Sequence, residues 1–437
     1  MNFLKKIFPH FCLAVSSLLL IYIIYKSEIY WSGTKDEYYF VYYIISLSLV
    51  FFSIILFFFN QKINEYLIIT SVSILVTLYC FEGYISISNY LELDKNSKHK
   101  KLISKIYEEN HNKKFDNRTK LEIFDDLKKI NNKITVSVSP GDFLDRNRFF
   151  PLSGVSNSET IFCNENGYYS IYQSDRYGFN NPDSEWDEQE IYYFLLGDSF
   201  THGACVNRPN DIASVLRTLS KKSVLNLGYI GNGPLIQFAT LREYLKPGVK
   251  NVIWLFCERN DFSDLSSELN NKLLKNYLKD NTFTQNLKYK QAKIDNLVRN
   301  KIKKEEQIKF KFELTKFLKI FYSRNLILNY KKKDNQNLEQ FKLILKMAND
   351  FVINNNSKLY FVYLPEYDRY TKRYSNANYD LVKNIVNELN ISFIDIHKEV
   401  FQREQNPLVL FPFGLQGHYN VNGYKKVANN IYKFSKD

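Results

Sequence analysis

The chain has 437 residues, more than one ordinary domain uses, and 45% of them are hydrophobic, so it can bury a core. Its formal net charge is +13, and a chain this basic can meet nucleic acid, a membrane surface or an acidic polymer. The lysines are dispersed among Asn, Ile and Tyr, without an Arg-rich arm or zinc-ligand spacing, which reads as a solvated surface and argues against nucleic-acid binding.

The N-terminal part restricts the choices most. Residues 8–25, 38–60 and 66–87 are apolar runs, the last uncharged until Glu82. A run of about 20 apolar residues spans a bilayer as a helix. The first run, after Lys5 and Lys6, has the basic start of a signal peptide, but no small-residue cleavage site follows it and two more runs do. The region 1–90 therefore reads as three transmembrane helices, with Tyr30, Trp31, Tyr38 and Tyr39 as interfacial aromatics. Lys5, Lys6 and Lys62 favour a cytoplasmic N-terminus, while Lys26 and Lys35 in the first loop weaken the bias and the Lys-rich stretch after the third span opposes it, although long domains cross largely regardless of charge. Three spans from that start put the C-terminal part on the periplasmic or extracellular side of a cytoplasmic membrane.

Residues 91–135 are polar and rich in Lys and Asn, and are expected to be a charged linker with helical pieces at KHKKLISKIYEE and TKLEIFDDLKKI. Of five cysteines, Cys12 and Cys80 fall in the spans as packing residues. One pair among Cys163, Cys205 and Cys257 can form a disulfide in an oxidising compartment, and sequence does not choose the pair. Without CxxC or Cys/His spacing, no metal or cofactor is expected.

The stretch 143–187 is dense in aromatics, Asn and Gly, with a hairpin pattern at YYSIYQSDRYGFNN. Its Tyr177 and Trp186 are candidates for stacking on sugar rings; the alternative is a packed appendage to a sheet edge, and that is the preferred reading. From residue 191 the pattern becomes α/β. Strand-length apolar runs at 191–196, 222–227, 250–256, 358–364 and 391–396 alternate with amphipathic helical patterns. Near-continuous apolar strands separated by helices predict a parallel sheet covered on both faces. The expected fold of 136–437 is thus a flavodoxin-like three-layer α/β sandwich with a five-stranded parallel sheet, its site at the carboxyl ends of the strands. Residues of about 262–350 form a basic helical insertion, too long for a simple crossover, which reads equally as a lid or partner surface and as a surface elaboration.

The first strand ends abruptly at Gly197-Asp198-Ser199. A serine there is either a helix N-cap or a nucleophile at the site edge of the sheet. A nucleophilic serine needs a base. Of the six histidines, His418 stands in a Gly- and Asn-containing loop before the last helical pattern, whereas His202 reads as structural and His397 as surface. Gly228 ends the second strand and can bring its N–H close to a ligand. Asn260 ends the third and can donate its amide to an oxyanion. Asp198 and Asp261 are supporting residues.

In order, Gly197-Asp198-Ser199, Gly228, Asn260-Asp261 and His418 resemble the four blocks of the SGNH (GDSL-like) hydrolase superfamily. The resemblance covers about 191–261 and 355–437. It implies a Ser–His mechanism in which the Ser199 and Gly228 amides and the Asn260 side chain hold the oxyanion. Members act on acyl esters of lipids, small molecules and glycans, and several membrane-tethered relatives add or remove acetyl groups on cell-surface polysaccharides. Two departures stand out. The position three before the histidine, where the family carries an orienting aspartate, is Leu415, leaving a backbone carbonyl or an acid such as Asp395 to orient His418. Charged Glu258 and Arg259 precede Asn260, with a mutual salt bridge favoured over binding of an acidic sugar by Arg259. The reading is a membrane-anchored serine esterase removing acyl groups, acetyl foremost, from cell-surface glycans, with envelope polysaccharide machinery as a possible partner. The alternatives are an O-acyltransferase on the same glycans, an inactive glycan-binding or scaffold module, and a cytoplasmic enzyme acting on lipids.

Overall fold

The computed structural model describes residues 2–436 except 32, 34–35, 308–315, 325–334, 372–373 and 375–377. The chain divides into two compact units. One comprises Met1–Leu93 with Lys311–Lys331, the other Asp94–Phe310 with Lys332–Asp437.

The first unit holds α1 (Asn2–Ile24), α2 (Asp36–Ile55) and the start of α3 (Gln61–His111). Three stretches, Lys5–Tyr30, Tyr38–Phe58 and Gln61–Ser88, are long and apolar enough to cross a membrane. Their outward faces carry exposed Phe11, Leu18, Phe51 and Val72, which suits hydrocarbon rather than water. Two groups of buried polar atoms inside the unit are paired. Ser16 Oγ lies 3.3 Å from Ser53 Oγ between α1 and α2. Glu82 is buried and accepts from the backbone N–H groups of Tyr322 and Ser323 (2.9 and 2.8 Å) and from Ser323 Oγ (2.7 Å). A piece of the insertion, 316–324, thus docks on the third apolar helix. Residues 308–315 and 325–334 of the expected insertion lie outside the described residues.

The second unit is built on a five-stranded sheet. Its strands are β4 (Ile191–Leu196), β5 (Val224–Asn226), β6 (Val249–Cys257), β7 (Lys358–Leu364) and β8 (Ser392–Asp395). They run in the order β5-β4-β6-β7-β8, and every pairing is parallel. This is the expected flavodoxin-like order. Alternate side chains feed opposite layers, as the strand period requires. Phe194, Leu196, Trp254, Phe256, Phe361 and Tyr363 face one core. Over it lie α7 (Pro234–Tyr244), α10 (Asn335–Asn354) and α11 (Tyr379–Glu388). Tyr193, Leu195, Ile253, Leu255, Tyr360 and Val362 face the other. That core is covered by α6 (Ile212–Ser220) and α12 (Val421–Ser435).

Three short strands, β1 (Thr135–Val136), β2 (Glu159–Ile161) and β3 (Ile171–Gln173), form a separate sheet. Both helical pieces expected in the linker stretch are present. α3 continues to His111, and α4 (Lys120–Lys128) buries Ile123 and Phe124 in the α7-side core. Before residue 308 the insertion is core wall rather than lid. Helix α9 (Gln291–Gln307) contributes Ile294, Val298 and Ile302 to the same core, and its Asp295 accepts from Ser156 N and Oγ (3.0 and 2.7 Å).

Phe361 on the interior strand β7 is fully buried, with the rings of Phe256 and Phe341 at 5.6 and 6.1 Å. Phe361→Ala is expected to destabilise this unit by roughly 3–5 kcal/mol, through lost transfer energy and a residual cavity. At half-exposed Phe434, alanine is expected to stay within about 0.5 kcal/mol. Denaturant midpoints of the two variants check the contrast.

Candidate active site

Strand β4 ends at Leu196, and the chain turns through Gly197 and Asp198 into α5 (Ser199–His202), a helix of one turn closed by Gly203 at φ 86°. A Cβ at Gly197 would lie 2.0 Å from Thr201 Oγ1 and 2.8 Å from the Leu255 carbonyl, so only glycine fits this turn. Buried Asp198 caps the helix, its Oδ1 accepting from Phe200 N at 2.9 Å. Between Tyr193 and Val206, Ser199 is the one residue that is not buried. Packing therefore hides the turn and leaves its hydroxyl at the surface. Ser199 Oγ lies 2.9 Å from His418 Nε2.

His418 is fixed from its other side by a residue that sequence reasoning missed. Glu165 Oε1 lies 2.9 Å from His418 Nδ1, and its Oε2 accepts the His418 backbone N–H at 2.6 Å. The Phe200 ring packs against the imidazole at 4.6 Å. The contact is sheltered but not sealed, with the His418 and Glu165 side chains 24% and 25% exposed. Burial opposes a charge on His418, but the charge and hydrogen bond of Glu165 outweigh it and raise its pKa above the ordinary histidine range. Burial likewise opposes charge on Glu165, and His418 outweighs it, holding the carboxylate below its usual range. The two directions agree: each group stabilises the charged form of the other.

Glu165 takes the place expected for a backbone carbonyl or Asp395. Asp395 instead caps the turn after β8, accepting from Lys398 N at 3.1 Å, and it accepts the Tyr379 hydroxyl. Leu415, where an aspartate was expected, packs with Ile103, Tyr107, Phe115 and Phe413. Gly417 makes the contact possible, because a Cβ there would lie 2.7 Å from Glu165 Oε2. The Glu165 loop is itself anchored. Cys163 is disulfide-bonded to Cys205, six residues after Ser199, which decides the pairing left open above. Asn166 Nδ2 donates to the Cys205 carbonyl (2.8 Å), and Asn164 Nδ2 donates to the Asp116 carbonyl (2.8 Å). The sequence signal was slight: an acid in a Cys-Asn-Glu-Asn-Gly turn, with nothing to say what it faces.

Of the two expected oxyanion donors, Gly228 and Asn260, the first is engaged elsewhere. The Gly228 N–H donates to Asn226 Oδ1 at 3.0 Å, so it is already committed. A Cβ at Gly228 would lie 2.5 Å from Thr201 Cβ and 2.6 Å from His202 N, so this glycine serves close packing of the second strand's end on α5. Asn260 precedes α8 (Asp261–Glu268), and its Nδ2 donates to Asp264 Oδ2 at 2.7 Å. This bond orients Asn260, whose side chain also favours the charged form of Asp198 by hydrogen bonding. Asp261 is buried and accepts from Cys257 N at 2.9 Å, tying the loop after β6. Burial raises the pKa of Asp198 and Asp261, and raises that of Asp264 to about 6.

The remaining candidates resolve by contact. His202 is buried against Phe162 and Tyr172 (4.4 and 4.6 Å), and burial lowers its pKa to about 3, so it is a neutral packing residue. His397 Nδ1 pairs with the Tyr370 hydroxyl at 2.8 Å rather than standing free at the surface. Trp186 is buried, donates from Nε1 to Asp175 Oδ2 at 2.8 Å, and packs edge-on with Tyr177 at 4.7 Å. The pair forms the packed appendage and is not a sugar-stacking surface. Glu258 is held by Arg369, not by Arg259. Donor atoms of Glu165, Cys205 and His418 lie within 4.8 Å of one another, but the Cys205 sulfur is bonded to Cys163 and offers no thiolate to a metal.

No family model and no curated protein matches the chain. Among solved structures it is similar to a member of the lipolytic protein G-D-S-L family from Veillonella parvula DSM 2008. The identity is 11%, the match covers 56% of this chain and 100% of that one, and the TM-score is 0.33. It is also similar to the acetyl xylan esterase AlAXEase (12% identity, 56% and 98% coverage, TM-score 0.32). A catalytic mutant of Axe2, an acetylxylan esterase from Geobacillus stearothermophilus, is similar at 14% identity, 57% and 95% coverage and a TM-score of 0.33.

If His418 accepts a proton from Ser199, activity requires neutral imidazole and falls as pH drops through its raised pKa. Glu165→Gln removes the carboxylate that raises it. The acid limb of kcat/KM is expected to move to lower pH, while kcat falls by roughly 10²–10⁴. A pH–rate profile of both proteins checks the sign, and an unmoved limb would rule out the contact as the cause. Cys163→Ser is expected to lower kcat more than KM while leaving Ser199 in place, since it loosens the Glu165 loop; steady-state kinetics with and without dithiothreitol test this.

Proposed function

We propose that the chain is a membrane-anchored serine esterase of the SGNH (GDSL-like) kind that removes acyl groups, acetyl foremost, from cell-surface glycans. The observation that carries this reading is the relay Ser199 Oγ, His418 Nε2, His418 Nδ1, Glu165 Oε1, with both gaps at 2.9 Å. Ser199 attacks the acyl carbonyl and passes its proton to His418 Nε2. Glu165 stabilises the imidazolium that forms. The developing oxyanion takes the Ser199 N–H, which as the first amide of a helix has no partner within it, and the side-chain amide of Asn260, which turns to it from its carboxylate partners. Protonated His418 releases the sugar alcohol, and a water activated by the same imidazole then hydrolyses the acyl-enzyme.

The inactive-module alternative loses its main support, because Glu165 supplies a carboxylate where Leu415 lacks one. The Cys163–Cys205 disulfide and the basic start at Lys5 and Lys6 favour an oxidising compartment for the C-terminal unit, outside the cytoplasm.

The full chain in detergent is expected to be labelled by a fluorophosphonate probe and to hydrolyse p-nitrophenyl acetate. Both are expected to vanish with Ser199→Ala, and kcat is expected to fall by roughly 10²–10³ with Asn260→Ala. Absence of labelling in the unmodified chain would sink the esterase reading. Adding a sugar acceptor and finding acyl transfer instead of release would redirect it to a transferase.

A further inference from the structure

Arg259 stands one residue before Asn260, on the turn after β6 that presents the oxyanion donor. Its neighbour Glu258 is fully occupied and only 1% exposed. Glu258 receives Arg369 Nε and Nη2 (2.9 and 2.6 Å), the Tyr363 hydroxyl (2.9 Å) and Glu366 N (2.8 Å). The acid expected to neutralise Arg259 is therefore spoken for. What Arg259 has is a loose contact, Nε to Glu366 Oε2 at 3.9 Å, beyond hydrogen-bond reach. Its side chain is 47% exposed, while Glu366 is 14% exposed. The guanidinium is thus held beside the site with its donors turned mostly to solvent.

Its charge reaches the reacting groups. Arg259 favours the charged form of Glu165 and disfavours that of His418. A bare cation beside a general base works against the imidazolium that the reaction needs. An anion bound by Arg259 would cancel that opposition just when the substrate is in place. A guanidinium presents a planar fork that matches a carboxylate in two parallel hydrogen bonds.

We propose that Arg259 is a specificity-determining residue whose guanidinium binds a carboxylate on the sugar that carries the ester, so that the substrates are acylated acidic glycans of the uronic acid class. The inference rests on the esterase reading for its reaction but not for its binding site. The anion lies close to the scissile ester, because Arg259 and the oxyanion donor Asn260 are adjacent in one turn.

The test separates binding from turnover. Full-length Ser199→Ala protein in detergent is titrated by calorimetry with unacetylated oligogalacturonate, and the same is done with Arg259→Gln and Arg259→Lys added. Affinity is expected to weaken at least about tenfold with Gln and to be partly restored with Lys, which keeps the charge but not the fork. In the active protein, the ratio of kcat/KM for acetylated oligogalacturonides over acetylated xylo-oligosaccharides is expected to fall at least about tenfold with Arg259→Gln, through KM. Equal affinity in all three proteins, or an unchanged ratio, overturns the proposal. Arg259-dependent binding of a glycerol-phosphate oligomer in preference to oligogalacturonate overturns the carboxylate assignment. If the unmodified chain hydrolyses neither ester while oligogalacturonate binding still depends on Arg259, the esterase reading fails and the anion site stands.

Discussion

The contact between Glu165 and His418 is the constraint on which the candidate site depends. One carboxylate holds both the Nδ1 and the backbone N–H of His418, so it fixes the ring and the loop that carries it. Neither group would be comfortable alone. Each is sheltered enough for burial to oppose its charge, and each offsets that opposition for the other. The surrounding structure serves this pairing. The disulfide fastens the Glu165 loop to the segment following Ser199, and Gly417 leaves the room that the carboxylate occupies. The end of α3 adds Tyr107, whose ring lies against Gly167 in the same loop.

Behind Ser199, buried acids fix the loops. Asp198 caps α5, and Asp261 holds the Cys257 amide. Glu268 receives the amides of Gly233, Leu235 and Ile236 at the start of α7, at 2.6, 2.9 and 3.3 Å. Burial raises the pKa of Glu268 to about 8, so the group sits near neutrality at the helix end. Backbone N–H groups at loop ends need acceptors, and these side chains provide them where water cannot. The same acids repel one another, which is the cost of placing several turns close together at one edge of a sheet.

The insertion has two fates. Up to residue 307 it is wall, with Ile294, Val298 and Ile302 in the core and Asp295 pinning Ser156. Its segment 316–324 joins the apolar helices, where Glu82 receives the Tyr322 and Ser323 amides. A carboxylate in an apolar helix needs such partners, and the returning segment supplies them. That is a physical reason for a connection far longer than a crossover requires.

The sequence by itself determined the elements whose signal is local. Apolar runs of bilayer length marked the three spans. Strand runs with both faces apolar marked the parallel sheet, because a buried strand has no polar face to show. Gly197-Asp198-Ser199 and His418 were legible for a related reason, since a tight strand-to-helix turn and a histidine before a last helix carry their own spacing. Tertiary structure alone decided what faces them. Glu165 stands 253 residues before His418 and lies in a short turn with no periodicity, so no local pattern connects the two. The choice of Cys163 for Cys205, the loss of Gly228 as a donor to Asn226, and the release of Arg259 from Glu258 are of the same kind. A side chain's residue type fixes what it can bond, but which partner reaches it depends on how distant segments close around it, and that is settled only when the chain is packed.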